Sequence, residues 1–348
     1  MRLRKLFQLS RGLKAAYGGS DTHRRVRQFE GWTGRVPARD EYATGYDHTE
    51  TVKEYYDLCN EIMVFAWGES LHFAPLSPRE SVEDSKTRHQ RLMISKLELR
   101  EGMTVIDVGC GIGGPMRRVV QEAGVRVLGV NSNEIQMERA KELNAEAGID
   151  HMTEYLACNF MDMSTLPDDT FDRAYAIEST CHAPDKAGAF AEIYRVLKPG
   201  ALFWGQEMCM TDGFDPDDRR HQAVKHELMH GIALKDIATM SEVDRALEKA
   251  GFQVIEGRDR AVAGDGPTTP WYRPMEARHG TLGNALYRIP AGRKLFIGAA
   301  RLAEKVGLFP RGTADVLRLM DRTANAYVAG GRTGTFTPLY CFLARKSD

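Results

Sequence analysis

A chain of 348 residues with 43% hydrophobic and 27% charged residues has ample material for a sizeable core, in one large domain or two smaller ones. Its formal net charge of −1 argues against binding nucleic acid through bulk charge. Six scattered cysteines without a Cys-x-x-Cys pair suggest neither a metal site nor a disulfide framework and fit a reducing compartment, and no run approaches the ~20 apolar residues of a membrane span.

In the first fourteen residues, Leu3, Leu6, Phe7, Leu9 and Leu13 alternate with Arg2, Arg4, Lys5, Arg11 and Lys14. A helix here would be basic and amphipathic, suited to an anionic membrane surface; a solvated arm and an organelle-targeting segment are the alternatives. Residues 21–45 are polar, rich in arginine and glycine, and contain Pro37, which predicts a loose extended arm. Residues 1–46 are therefore read as a basic N-terminal arm. Residues 48–60 have helical spacing, followed by an aromatic segment over 64–73 that ends before Pro75 and Pro78. Such a segment either packs on a neighbour or walls a substrate site, and 47–78 is read as the substrate-side segment. An amphipathic helix over 81–99 leads into a core read as residues 79–260.

Val105-Ile-Asp-Val108 is a short apolar run that opens onto Gly109, Gly111, Gly113 and Gly114, then Pro115. This pattern predicts a buried strand, a tight turn and a helix with proline in its first turn. Glycines allow positive φ and close approach of the backbone to a ligand, and the helix start offers free N–H groups to it. The spacing Gly-x-Gly-x-Gly is one residue short of the dinucleotide pattern. With Asp107 before it, the turn fits S-adenosylmethionine (SAM); a generic α/β turn is the alternative.

Strands are expected at 126–130, 153–157, 171–177 and 201–210, with helices at 134–147 and 185–197 between them. Such alternation implies a parallel sheet covered on both faces, with ligands beyond the carboxyl ends of its strands. Asp107, Asn131, Asn159 and Glu178 fall at those ends. Asn131 lies about 20 residues past the turn, where a ribose-binding side chain belongs. Asn159, with Phe160 beside it, is placed to meet an adenine ring; a strand-end cap or turn residue is the alternative reading of each asparagine. A helix at 240–249 and strands at 251–256 and 337–345 complete the sheet. A helical insertion at 214–236 follows the fifth strand, and helices at 282–287, 294–306 and 313–328 separate the last two. The expected fold is α/β and Rossmann-like, with a mostly parallel seven-stranded sheet, helices on both faces, and a C-terminal region of residues 261–348 that includes the last strand.

Several blocks occur in a telling order: Trp67-Gly-x-Ser-x-His-Phe73, Ile106-Asp-Val-Gly-Cys-Gly-Ile-Gly-Gly-Pro115, Tyr175-Ala-Ile-Glu-Ser-Thr-Cys-His-Ala-Pro184, Met210-Thr-Asp212 and Phe336-Thr-Pro338. Together they resemble the sterol 24-C-methyltransferase family from about Asp47 to nearly the end. Pro270-Trp-Tyr272 and Val328-Ala-Gly-Gly331 resemble that family's C-terminal region. The glycine turn is common to many SAM enzymes, whereas the block around Glu178 is far more specific. The resemblance implies methyl transfer from SAM, without a metal, to the C24 side-chain alkene of a Δ24-sterol, then a hydride shift and proton loss. A sterol or triterpenoid partner follows, with peripheral contact to the endoplasmic reticulum or another membrane from the cytoplasmic side, and a homo-oligomer is allowed.

On this resemblance the cofactor contacts are Asp107, Gly109, Cys110, Gly111, Gly113, Asn131, Gln136, Asn159, Phe160 and Glu178. Alkene methylation leaves a tertiary carbocation, which aromatic faces stabilise and some base must finally deprotonate. The candidates for that chemistry are Glu178, His182, His72, Glu207 and Asp212. Those for the substrate wall are Phe65, Trp67, His72, Phe73 and Trp271. The plainer readings are a helix-entry residue for His182 and a helix cap over 215–230 for Asp212.

The chain departs from the family where the substrate is handled. Met63-Val-Phe-Ala66 stands where the family carries Tyr-Glu-Tyr-Gly, Gln206-Glu-Met208 where it tends to have Tyr-Glu-Trp, and His230 where it has an aspartate. Asn159 likewise replaces an aspartate. These changes leave open which Δ24-sterol is the acceptor, or whether it is a linear triterpene or other isoprenoid lipid. A non-catalytic SAM- or lipid-binding protein of this fold is a further reading, against which Glu178 and His182 speak.

Overall fold

The computed structural model describes residues 3–34, 48–262, 268–277 and 287–348. Four helices come first: α1 (Leu3–Tyr17), α2 (Thr22–Gly34), α3 (His48–Trp67) and α4 (Val82–Lys96). The sheet region then runs β1 (Thr104–Val108), α5 (Gly114–Ala123), β2 (Arg126–Asn131), α6 (Glu134–Glu146), β3 (Thr153–Ala157), β4 (Phe171–Ile177), α7 (Lys186–Val196) and β5 (Leu197–Met210). After it come α8 (Arg219–Gly231), α9 (Met240–Lys249), β6 (Gln253–Asp259), α10 (Arg273–Glu276), α11 (Pro290–Lys305), α12 (Thr313–Thr333) and β7 (Phe336–Arg345). The expected helix at 282–287 falls, but for its last residue, outside the described residues.

Local signals account for several of these boundaries. Ser81 caps α4 by accepting from Asp84 N, Asn133 caps α6 by accepting from Gln136 N, and Thr239 with Glu242 forms a reciprocal capping box on α9. The strand order is β3-β2-β1-β4-β5-β7-β6. The first five strands pair in parallel, while β7 runs antiparallel between β5 and β6. The expected fold class is thus met. Order reverses between β1 and β4, so their carboxyl ends flank the crevice in which such sheets bind ligands.

Phe190, Ile193, Val243 and Leu247 from α7 and α9 cover one face of the sheet, and Met93, Met116 and Val119 from α4 and α5, with Leu97 at the α4 C-cap, the other. A third apolar core joins α1, α2, α3, α8, α11 and α12. Here the sequence expectation of a loose N-terminal arm is overturned. Residues 22–34 form a helix, and Leu9, Leu13, Tyr17, Val26 and Phe29 are buried in this third core. Residues 35–45 of the expected arm lie outside the described residues. Gly12 lets α1 sit close on α3, since a Cβ there would overlap the Glu61 carboxylate. Arg25 pairs bidentately with Glu54 at 2.7 and 3.0 Å, and Thr33 bonds His230 Nδ1 at 2.6 Å, tying α2 to α3 and α8. His230, the family's aspartate position, is therefore buried within the helical layer.

Candidate active site

A cavity of about 300 Å³ opens beyond the carboxyl ends of β1, β2 and β4, bounded on the far side by α3, α11 and α12. The turn after β1 forms one end. Its Gly109 and Cys110 N–H groups both donate to Val130 O, at 2.8 and 3.0 Å, which fixes the turn to β2. Gly109 has φ 82°, and a Cβ there would fall 2.3 Å from Ser179 Cβ. At Gly111, φ is 52° and a Cβ would meet nothing within 4 Å, so this backbone faces open cavity. Asp107 accepts from Tyr175 Oη at 2.8 Å, and burial raises its carboxyl to about 7.

Beside the turn, the polar side chains form a chain of bonds. Asn131 donates to Gln136 Oε1 at 3.0 Å, and Gln136 donates to Asn60 Oδ1 at 3.0 Å. Asn133 donates to Asp57 Oδ1 at 2.9 Å, so two bonds hold α3 over the end of β2. Open backbone at Gly111, a buried acid and this amide cluster offer the space and polar groups that a cofactor such as SAM requires.

Glu178 follows β4 with φ 51°, a left-handed conformation that costs of order 1–2 kcal/mol in a residue bearing a Cβ. Its Oε1 accepts from Phe73 N and from Gln206 Nε2, each at 2.6 Å. Desolvation outweighs both bonds and pushes the carboxyl to about 8. Gln206 is fully buried; its amide nitrogen also reaches Phe73 O and Pro338 O, at 3.1 and 3.0 Å, and its oxygen accepts from His89 Nε2 at 2.7 Å. One side chain thereby joins α4, the aromatic segment, the end of β4 and β7.

The aromatic segment departs from its expected form, because α3 continues through Trp67 and ends at Gly68, whose φ is 91°. Lys86, buried on α4, donates to Trp67 O at 2.7 Å and Ser70 O at 3.0 Å, capping α3 with a cation. Phe73 then meets Trp67 and Tyr327 edge-on, with ring centroids 5.3 and 5.1 Å away. Tyr56 Oη bonds His182 Nε2 at 3.1 Å, and His48 Nε2 bonds His182 O at 2.8 Å. Burial first, then His48, lowers the His182 imidazole to about 3. Both nitrogens of His72 are engaged: Nδ1 donates to Phe73 O at 2.7 Å, and Nε2 accepts from Gln90 at 2.9 Å. Burial lowers His72 also to about 3.

Of the sequence candidates, Asp107, Gly109, Cys110, Gly111, Asn131, Gln136, Phe160, Glu178, His182, His72, Phe65, Trp67 and Phe73 line the one cavity. Gly113 is the N-cap of α5, next to Gly114 of the wall. Four others do not reach it. Asn159 is exposed, and its Oδ1 is taken by Met161 N at 3.0 Å in a tight turn. Glu207 is buried on the opposite side of β5 from Gln206 and Met208, bonded to Lys186 at 2.9 Å and to Thr180, because successive strand residues face opposite ways. Asp212 is exposed and caps nothing, for α8 starts later behind Asp218. Trp271 packs behind Phe73 and Tyr327, at 5.2 and 6.1 Å, as a second layer. Sequence reasoning missed Tyr56, Tyr327 and Gln206. Tyr327 sits in a long amphipathic helix whose spacing matches an ordinary core position, so no local signal distinguished it.

A family model described as mycolic acid cyclopropane synthetase matches residues 44–261, and one described as sterol methyltransferase C-terminal matches residues 288–347. Cycloartenol-C-24-methyltransferase of Arabidopsis thaliana is 43% identical over 303 residues, 87% of this chain and 88% of that protein. Sterol 24-C-methyltransferase ERG6 of Saccharomyces cerevisiae is 33% identical over 323 residues, 91% of this chain and 84% of its own. Among solved structures, a putative sarcosine dimethylglycine methyltransferase from Galdieria sulphuraria superposes with a TM-score of 0.65 at 20% identity, covering 84% of this chain and 98% of that one. The mycolic acid cyclopropane synthase CmaA1 superposes with a TM-score of 0.64 at 17% identity over 86% and 99% of the two chains.

Proposed function

The chain belongs to the sterol 24-C-methyltransferase family, and we propose that Glu178 answers the positive charge created when its substrate is methylated. Its reaction is the SAM-dependent methylation of a Δ24-sterol at the C24 side-chain alkene, a step of sterol biosynthesis. When bound, SAM supplies the methyl group. The turn at Gly109, Gly111 and Gly113, with Asp107, Asn131, Gln136 and Phe160, would hold it.

The observation that carries the assignment of Glu178 is its place between two walls of one cavity, the glycine turn and the aromatic segment. A carboxyl raised to about 8 by burial is largely protonated at neutral pH. The positive charge of a bound SAM would favour the ionised form, with the Glu178 proton released to solvent before methyl transfer, so that Glu178 meets the substrate cation as a carboxylate. Oε1 is anchored by Phe73 and Gln206, which restrains the carboxylate from bonding to the cation. The rings of Tyr56, Phe73 and Tyr327 stabilise a carbocation by roughly 0.5–2 kcal/mol each and keep water away. Burial raises both phenols, so they act as neutral rings.

For the final proton, magnitudes favour Glu178. At about 8 it is a far stronger base than His182 or His72 at about 3. His182 is then a positioning group, bonded through Nε2 to the Tyr56 hydroxyl at 3.1 Å. Among the altered residues, Met63, Phe65, Ala66 and Met208 line the cavity, with Phe65 stacked on Phe296 at 5.6 Å, so we assign the choice of sterol to these four. Incubation with methyl-labelled SAM and zymosterol, cycloartenol, desmosterol or squalene tests the acceptor. Label is expected in a Δ24-sterol; label in squalene alone would favour a linear triterpene, and label in none would sink lipid C-methylation.

A further inference from the structure

We propose that α11 is the surface by which this protein rests on an anionic lipid bilayer, so that the substrate passes from the membrane through the wall formed by the same helix. The proposal rests on the lipid-substrate reading only for its purpose; the surface itself is defined by the side chains of α11. The helix has two apolar faces. Phe296 and Ile297 look into the cavity beside Arg293, whose guanidinium pairs with Asp321, and Ala300 is buried beneath them. On the outside, Leu295, Leu302 and Val306 are 76%, 64% and 72% exposed, with exposed Gly298 and Ala299 between them. At 3.6 residues per turn these five positions form one continuous stripe.

The stripe extends beyond the helix. Leu308 follows it and is exposed, and its carbonyl accepts from Ser10 Oγ at 2.7 Å, which brings α1 and the exposed Phe7 alongside. Of the eight exposed large hydrophobics among the described residues, five belong to this one patch. Apolar patches of this kind on a soluble surface mark an interaction site.

Charge identifies the partner. Lys294, Arg301 and Lys305 each directly precede one of the three exposed apolar residues, and all three are exposed, so a basic row runs beside the apolar stripe. The single acid of the helix, Glu304, is turned inward and accepts from Ala314 N at 2.7 Å. A basic row bordering an apolar stripe is the pattern of a helix lying in the interface of an anionic membrane. The basic N-terminal helix cannot take this role alone, since Leu9 and Leu13 are committed to the core.

The test uses the full chain and sterol-free vesicles, so that its result is independent of the acceptor. The parent protein should sediment with phosphatidylcholine–phosphatidylserine vesicles, less with phosphatidylcholine alone, and less again in high salt. Leu302→Glu with Val306→Glu should weaken vesicle binding by at least roughly tenfold while leaving SAM affinity and turnover in detergent micelles unchanged. Leu295→Glu, made separately and checked by thermal melting, guards against a folding defect. Equal sedimentation of parent and variants, or none by the parent, would overturn the proposal. So would light scattering that finds the parent dimeric and the variants monomeric, since a second copy would then cover the stripe.

Discussion

The backbone N–H of Phe73 donates to Glu178 Oε1 at 2.6 Å, joining residues 105 positions apart in the chain. This bond seats the aromatic segment against the acid that follows β4, with Gln206 holding the same oxygen from a third element. The aromatic segment and the acid we propose meets the substrate's charge are thus joined by one contact.

Replacing Glu178 by Gln keeps the bulk and removes the carboxylate. Turnover should fall by roughly 10²–10⁴-fold, the range of a lost acid–base group, while calorimetric SAM affinity stays near the parental value. Parental turnover in this variant would remove Glu178 from the chemistry.

Because burial raises the Glu178 carboxyl from 4.5 to about 8, kcat/KM should climb as pH rises through about 8 in the parent and lose that inflection in Glu178→Gln. Stability runs the other way. Between 4.5 and 8 the folded state holds a proton that the unfolded chain has released, so this contribution is present below 4.5 and lost as pH rises through 8. The melting temperature of the parent relative to Glu178→Gln should therefore decline from pH 5 to pH 9.

Gly109→Ala and Gly111→Ala should separate folding from cofactor binding. The first forces a Cβ to 2.3 Å from Ser179 and strains a positive φ, and should destabilise the protein by about 2 kcal/mol or more in urea titrations. The second has room for its Cβ and incurs about 1 kcal/mol of backbone strain, yet projects a methyl into the cavity. It should melt nearly as the parent does and bind SAM roughly tenfold more weakly, about 1.4 kcal/mol.

Tyr327→Phe should retain most activity, whereas Tyr327→Leu should lose roughly 5- to 30-fold in single-turnover rate, equivalent to about 1–2 kcal/mol of ring–cation stabilisation. Equal rates for the two variants would show that the ring serves packing alone.

The sheet and its glycine turn were legible because their signals are local. Val105–Val108 is apolar throughout, the glycines sit where φ is positive, and Asp107, Asn131 and Glu178 end strands that pair in parallel. The outer parts were less legible for a specific reason. An amphipathic helix reads the same whether its apolar face meets lipid or protein, so α1 was read as an arm while Leu9 and Leu13 are buried. Likewise Glu207 and Gln206 are neighbours in sequence, and only the pleat of β5 directs one to Lys186 and the other to Glu178.

By itself, then, the sequence determined the α/β sheet, the cofactor turn and the family, all carried by short runs whose spacing is their meaning. Tertiary structure alone decided that Glu207 and Asp212 stand away from the cavity, that Tyr56 and Tyr327 face it, and that α11 turns a second apolar face outward. Those outcomes depend on which face of an element meets which neighbour, and contacts such as Phe73 to Glu178 form between residues that no local pattern relates.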